Sequence, residues 1–340
     1  MNPISLQIEN LKTTFGSELL ILGHYYQRDD VLQHAHYMGD SLELSRRAST
    51  EKHAERIVFC GVHFMAESAD LLTEDRQAVY LPDRLAGCPM ADMAPVREAD
   101  KVWEDLSAVC DDFLPVVYVN SSAAIKAFCG RNGGATCTSS NAGKVMNWVF
   151  RQDRRVLFLP DEHLGVNTLH DLNFPDDEVA VYDPGKPLGG LSTATIRRVK
   201  ALVWKGYCHV HQFTTEDLMM ARSLHPTAKV IVHPETPKAV LRLADAHGST
   251  SQIIQYVNAA PAGDIIVIGT EIHLVDRLAR QHQGRLTLLP LRPSACRNMA
   301  LTTEEKLLAL LTNWPHAQRV HVPPELKSDA RAALTRMLEL

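Results

Sequence analysis

Three cysteines carry the strongest chemical signal in the chain. They are Cys88 in Leu85-Ala86-Gly87-Cys88-Pro89-Met90-Ala91-Asp92, Cys208 in Gly206-Tyr207-Cys208-His209-Val210-His211, and Cys296 in Pro293-Ser294-Ala295-Cys296-Arg297-Asn298-Met299. Each lies in a loop beside a hydrophobic segment, and the intervals of 120 and 88 residues suit a small α/β domain better than a local metal hairpin. Converging thiolates would supply three soft ligands and leave one coordination position open. An iron-sulfur cluster or a zinc ion held in that way can act on a substrate instead of stapling a fold. The Cys208-His209-Val210-His211 spacing keeps zinc open as the metal.

The remaining cysteines read as packing. Seven cysteines, an odd number spread over 340 residues, do not form an extracellular disulfide framework. Cys60 ends the apolar run Ile57-Val58-Phe59 and fills space as a small hydrophobe, and Cys110 and Cys129 are read the same way. His24, His211 and His233 sit beside glycine, cysteine or proline, with Glu235 two residues after His233. Thr138-Ser139-Ser140-Asn141-Ala142 and Gly248-Ser249-Thr250-Ser251 each precede a helix, where hydroxyls and free N–H groups either hold an anion or simply cap the helix. No Gly-x-x-x-x-Gly-Lys-Ser/Thr loop accompanies them, which argues against nucleoside triphosphate hydrolysis.

The elements that must position these groups alternate. Short apolar runs predict strands at 19–22, 56–59, 78–81, 116–119, 156–159, 229–232, 265–268 and 286–289, separated by amphipathic stretches such as 121–128 and 273–280 that read as helices. Crossovers of that length imply parallel pairing. Gly23-His24-Tyr25-Tyr26, Tyr118-Val119-Asn120-Ser121-Ser122 and His233-Pro234-Glu235 follow strands in a weak threefold pattern, with His24, Asn120 and His233 as equivalents. In open parallel sheets the carboxyl ends of strands build the site, so three rims could face one cavity. Residues 169–191, rich in Pro and Gly, read as a surface excursion in which Gly189-Gly190 could approach a ligand, and 303–311 and 324–340 read as packing helices.

Composition narrows the classes. Thirty-five Lys and Arg against 40 Asp and Glu leave no electrostatic case for nucleic acid. The start Met1-Asn2-Pro3-Ile4 lacks a basic flank and an apolar core, and no run reaches membrane-spanning length, so a cytoplasmic enzyme or binding protein is expected.

An ordered set of motifs then narrows the reading to one family. His24-Tyr25-Tyr26, Gly39-Asp40-Ser41-Leu42, Gly61-Val62-His63-Phe64-Met65-Ala66-Glu67, Gly87-Cys88-Pro89-Met90, Tyr118-Val119-Asn120-Ser121, Cys137-Thr138-Ser139-Ser140, Cys208-His209-Val210-His211, His233-Pro234-Glu235, Gly248-Ser249-Thr250, Ile268-Gly269-Thr270-Glu271 and Cys296-Arg297-Asn298-Met299 resemble, in sequence, the motifs of the A-type quinolinate synthases. The resemblance implies an α/β fold of three pseudo-symmetric three-layer αβα domains with short parallel sheets around a central cluster cavity. Residues 1–90 would form the first domain, with 297–340 packing on it, 91–207 the second and 208–296 the third. It implies condensation of iminoaspartate with dihydroxyacetone phosphate to quinolinate, phosphate and two waters, in the biosynthesis of NAD. One [4Fe-4S] cluster per chain would be held by Cys88, Cys208 and Cys296, its fourth iron open to substrate as a Lewis acid.

By the same resemblance Tyr26, His24, Glu235, His233 and Tyr118 are the acid/base candidates. His24, Ser41, Tyr118, Asn120, Ser139, His211, His233, Glu235, Ser249 and Thr250 are the substrate-binding candidates. An aspartate-oxidising enzyme is implied as the source of iminoaspartate, the protein being a monomer or homodimer with no nucleic-acid or membrane partner. The chain departs from the family twice. Thr236 stands where many members have cysteine after His-Pro-Glu, and Pro293 removes a Cys-x-x-Cys thiol switch before Cys296. Cys137 is expected to shape its loop and not to ligate iron. Two readings compete with this one: a zinc-dependent lyase or aldolase using the same cysteines or the adjacent histidines, and a non-catalytic iron-sulfur sensor.

Overall fold

Runs that are apolar at every residue cannot leave one face in water, and here they become parallel strands covered by helices on both sides. The computed structural model describes residues 2–340; Met1, the first residue of the expected first domain, lies outside them. The first sheet holds β1 (Leu19–His24), β2 (Tyr37–Gly39), β3 (Arg56–Cys60) and β4 (Ala78–Tyr80) in the order β2-β1-β3-β4. The second holds β5 (Phe113–Tyr118), β6 (Ala135–Cys137), β7 (Arg155–Leu159), β8 (Val179–Tyr182) and β9 (Ala201–Trp204) in the order β6-β5-β7-β9-β8. The third holds β10 (Lys229–Val232), β11 (Ala246–His247), β12 (Ile265–Gly269) and β13 (Thr287–Pro290) in the order β11-β10-β12-β13. Every ladder within the three sheets is parallel, as crossover connections require.

The same plan is used three times. β1, β5 and β10 are each flanked by the next strand on one side and the one after it on the other. Register then fixes which residues correspond. His24 lies opposite Gly39 and Tyr118 opposite Cys137, while the Val232–His247 pair makes His233 face Gly248. The equivalents of His24 and His233 are thus completed by Tyr118, not by Asn120. Asn120 corresponds instead to Tyr26 and Glu235.

The Pro/Gly-rich stretch read as a surface excursion contains a strand: β8 pairs with β9 and forms the far edge of the second sheet. Gly189, at φ 68°, lies against the ring of Tyr182, so close that a Cβ would come within 2.5 Å. Its conformational freedom serves packing and not a ligand.

The chain after residue 297 divides its contacts. The Glu304–Thr312 helix packs on the Pro3–Phe15 helix beside the first sheet. The Pro324–Glu339 helix lies across the Ala123–Arg131 helix and β6 of the second unit as well as the His63–Leu72 helix of the first, a wider reach than packing on one domain. Among the described residues no helix is long and apolar enough to cross a membrane.

Candidate active site

The carboxyl ends of the strands converge on one cavity of about 60 Å³. Its lining draws on all three units and includes Cys88, Cys208 and Cys296. The three cysteines occupy the same place in each repeat. The first N–H of the helix after β3, β7 and β12, from His63, Glu162 and Ile272, donates to the carbonyl of Ala86, Gly206 and Ser294 at 2.7, 2.8 and 2.8 Å. In each case a cysteine follows two residues later. Two of these helices start at a buried acid. Glu271 Oε1 accepts the Cys296 N–H at 3.2 Å and so braces its cysteine loop, whereas Asp161 Oδ1 accepts from Leu164 of its own helix and its Oδ2 has no partner. The corresponding residue of the first unit is Val62.

A chain of hydrogen bonds crosses the cavity wall. The Tyr118 hydroxyl donates to Glu235 Oε1 at 2.5 Å, and Glu235 Oε2 meets His211 Nδ1 at 2.9 Å. His211 Nε2 lies 3.2 Å from Thr270 Oγ1, which lies 2.8 Å from Tyr26 Oη; Thr250 Oγ1 donates to the same phenol oxygen at 3.1 Å. His211 also stacks on His233 with ring centroids 4.2 Å apart. One connected path therefore joins Tyr118 of the second unit, Glu235 of the third and Tyr26 of the first.

Burial sets the protonation states. It pushes both phenols up, Tyr118 with the added repulsion of Glu235, so each is a neutral hydroxyl at neutral pH. Burial also lowers His24 to about 4, and burial together with His211 lowers His233 to about 3. Both imidazoles are therefore neutral. His24 Nδ1 accepts the Tyr26 backbone N–H at 3.2 Å, and His233 Nδ1 accepts the Glu235 backbone N–H at 3.3 Å. A neutral imidazole that accepts at Nδ1 must carry its proton on Nε2, so both histidines of this lining present an N–H donor. Burial alone would raise Glu235. The His211 imidazole and the Tyr118 hydroxyl bonded to it outweigh that effect and hold it as a carboxylate.

The loops after the edge strands meet as a polar knot. Ser140 Oγ donates to Asp40 Oδ2 at 3.0 Å and lies 2.9 Å from Ser249 Oγ, and Ser251 donates to the same Asp40 oxygen. Ser41 and Thr250 begin helices at the cavity, and Ser139 lies beside the start of the Ala142–Phe150 helix. His24, Tyr26, Ser41, Tyr118, Asn120, Ser139, His211, His233, Glu235 and Thr250 all line the cavity. Ser249 does not: its hydroxyl is occupied as the helix cap for Gln252 and as the partner of Ser140. Asn120 Oδ1 is buried without a partner.

Sequence reading left Thr270, Asp40 and Ser140 without roles. Thr270 could have been found from its place at the end of β12, but the contact between Asp40 and Ser140 joins residues 100 apart and has no local signature. Cys60, Cys129 and Cys137 are buried, whereas Cys110 is half-buried near Arg155 and not the core filler expected.

The donor set admits a metal. Burial raises the three site thiols, Cys88 to about 12, so their anionic form needs a cation seated among them. A single zinc with bonds of about 2.3 Å cannot hold thiolates more than about 4.6 Å apart. Among the described residues, the one group of donors drawn within 4.8 Å is Cys208, His211 and Glu235, not the three cysteines. A wider multi-iron centre suits the cysteine triad better than one ion does.

Comparison with known proteins follows the same lines. Residues 6–339 match the family model described as quinolinate synthetase A protein, NadA. The chain is 45% identical to the quinolinate synthase of Corynebacterium glutamicum, with 98% of this chain and 86% of the relative covered. It is 45% identical to that of Bacillus subtilis strain 168 and 44% to that of Bacillus anthracis, each covering 98% of this chain and 92% of the relative.

Proposed function

The chain belongs to the quinolinate synthase family, and from that premise we propose how its cavity performs the synthesis. The substrates of this reading are iminoaspartate and dihydroxyacetone phosphate, the products quinolinate, phosphate and water. The observation that carries it is the meeting of the three repeated cysteine loops and the Tyr118–Glu235–His211–Thr270–Tyr26 path on one cavity. Cys88, Cys208 and Cys296 would hold a [4Fe-4S] cluster, which supplies an open iron as a Lewis acid.

Both substrates are small anions, and no Arg or Lys lines the cavity. Binding then rests on neutral donors: the helix start at Thr250, the Ser41 and Ser139 hydroxyls, and the Nε2–H groups of His24 and His233. Neutral donors hold an anion without trapping it, which suits a site that must release a dicarboxylate. Asn120, with its unpartnered Oδ1, can accept from a substrate hydroxyl or imine N–H. Carbon-carbon bond formation followed by loss of water requires protons to leave carbon and arrive at departing oxygen. Glu235 is the one carboxylate on the hydrogen-bonded path and serves as the base. His211 stabilises the charge on Glu235, while Tyr26 and Tyr118 are hydroxyl donors able to protonate a leaving oxygen.

The test is anaerobic metal and sulfide analysis joined to product assay. About four irons and four sulfides per chain, with quinolinate formed from the two substrates, is the expected result. Activity with zinc alone would move the metal to Cys208, His211 and Glu235. A loaded cluster without quinolinate would make the protein a sensor.

A further inference from the structure

Two buried side chains outside the cavity grip the backbone on both sides of Tyr26 and of Glu235. Arg277 donates from Nη1 to the Gln27 carbonyl at 3.1 Å and from Nη2 to the Tyr25 carbonyl. Asn167 donates from Nδ2 to the carbonyls of Pro234 and Thr236, at 2.9 and 2.8 Å. Tyr25 and Gln27 correspond to Pro234 and Thr236 in the repeat, so the same two carbonyls are held in each case. Both grips cross between units. Asn167 belongs to the helix after β7 and reaches the third unit; Arg277 belongs to the helix after β12 and reaches the first.

Each of these helices also holds a cysteine loop at its start: the Glu162 and Ile272 N–H groups donate to the Gly206 and Ser294 carbonyls, both at 2.8 Å, two residues before Cys208 and Cys296, and Glu271 accepts the Cys296 N–H as well. Asn167 and Arg277 lie five residues beyond those first helical residues. One rigid helix therefore ties a cysteine loop to the proton-handling loop of the next unit. The seam between the first and second units is built differently: Glu67 accepts the Ala123 N–H at 2.9 Å, and the buried Lys126 of the second unit itself holds the Ser121 carbonyl.

We propose that Asn167 and Arg277 are positioning residues for the reaction, fixing Glu235 and Tyr26 relative to the cysteine triad through the helices that carry them. The proposal rests on the reading of the site given above. A carbonyl released on one side lets its loop pivot, and a displacement of about 1 Å at a reacting group can cost about 100-fold in rate. Substrate binding, which also rests on the Ser41, Ser139 and Thr250 loops, would change less.

The experiment uses the anaerobically loaded enzyme and the variants Asn167→Leu, Arg277→Met, Arg277→Lys and Glu235→Gln, with iron content, thermal unfolding, kcat and KM measured for each. Expected are a loss of about 10- to 100-fold in kcat for Asn167→Leu and Arg277→Met at full iron content, with KM within about threefold. Arg277→Lys, which can still donate to one carbonyl, should recover about tenfold over Arg277→Met. Full kcat in Asn167→Leu overturns the proposal. So do rate losses that merely follow lost iron or a lowered unfolding temperature, an Arg277→Lys no better than Arg277→Met, or failure of both Asn167→Leu and Arg277→Met to fold. Glu235→Gln separates this from the site itself. A wild-type rate in Glu235→Gln would overturn the site reading, whereas loss there with full rate in Asn167→Leu overturns the grip alone.

Discussion

The first and third units are built on one backbone plan, yet they present different chemistry. In His24-Tyr25-Tyr26-Gln27 and His233-Pro234-Glu235-Thr236 the histidine ring accepts the N–H two residues on, at 3.2 and 3.3 Å, and its carbonyl accepts the N–H three residues on, at 2.9 Å in both. The loops after β2 and β11 repeat equally well. Asp40 with Glu43 and Ser249 with Gln252 both form reciprocal helix caps. Gly39 and Gly248 precede them where a Cβ would come within 2.9 and 2.8 Å of the Cβ of Glu43 and Gln252, so a side chain at either would force the cap apart. What varies is the residue in each seat: Tyr26 against Glu235, and Asp40 against Ser249. The repeat keeps the backbone plan and the histidine of each loop while changing the residue two positions on, Tyr26 against Glu235, which is how similar rims can supply one asymmetric site.

The largest effect tests what the repeats share. Cys88→Ala, Cys208→Ala and Cys296→Ala occupy equivalent turns and should each lose iron and more than about 10³ in rate, since one missing ligand opens the whole centre. Cys60→Ala, buried at the end of β3 away from the cavity, should keep both iron and rate. Iron per chain, visible absorption and kcat check this. One triad variant with full iron would remove its cysteine from the ligand set.

Next comes the contrast between the two seats. Glu235→Gln removes the only carboxylate on the path and should lower kcat by about 10² to 10⁴. Tyr26→Phe removes a neutral hydroxyl whose partners Thr270 and Thr250 remain beside each other, and a loss of about tenfold is expected, near the worth of one hydrogen bond. Equal losses from single-turnover measurements would mean that the two seats share one role.

The differing legibility of the units has the same origin. β1, β5 and β10 announced themselves because three to six apolar residues in a row have no alternative to burial. β2 and β11 could not: Tyr37-Met38-Gly39 exposes two of three residues, and Ala246-His247 is two residues long, too short for any alternation. They are strands because β1 and β10 supply the partner. The cysteines were legible from residue type and interval, and the resemblance named most of the cavity lining. Placing Asn120 opposite His24 failed because local composition does not encode ladder register. Asn167 and Arg277 looked like ordinary helix residues, since their partners are carbonyls in another unit.

A smaller effect separates the two caps. Asp40 holds the Leu42 and Glu43 N–H groups with one oxygen and Ser140 and Ser251 with the other. Ser249 caps its own helix and meets Ser140 Oγ at 2.9 Å. Asp40→Ala should therefore cost about 3 kcal/mol, one cap plus hydrogen bonds to a charged group. Ser249→Ala should cost about 1 kcal/mol. Urea unfolding midpoints at constant slope give both numbers. The reverse order would place the junction of the three edge loops on Ser249.

The first unit also carries a tether with no counterpart in the third. Behind β1 the buried His34 ring meets Glu9 Oε1 at 2.8 Å and Glu304 Oε1 at 2.9 Å, joining the Pro3–Phe15 helix to the Glu304–Thr312 helix. Burial would raise the Glu304 carboxyl, but hydrogen bonds from Ser5, Asn2 and His34 hold it below its ordinary value of 4.5. A carboxyl lowered by folding stabilises the fold above its unfolded value, and that contribution disappears as pH falls through the folded value. Glu304→Gln should thus unfold at lower urea than the wild type at pH 7, with the gap closing below about pH 4. The third unit, built without such a strap, should show no matching acid-sensitive step when hydrogen exchange is followed segment by segment. Protection lost first in residues 3–15 and 304–312 is the expected order on acidification. Loss beginning in the third sheet would mean that the tether is not what distinguishes the two units.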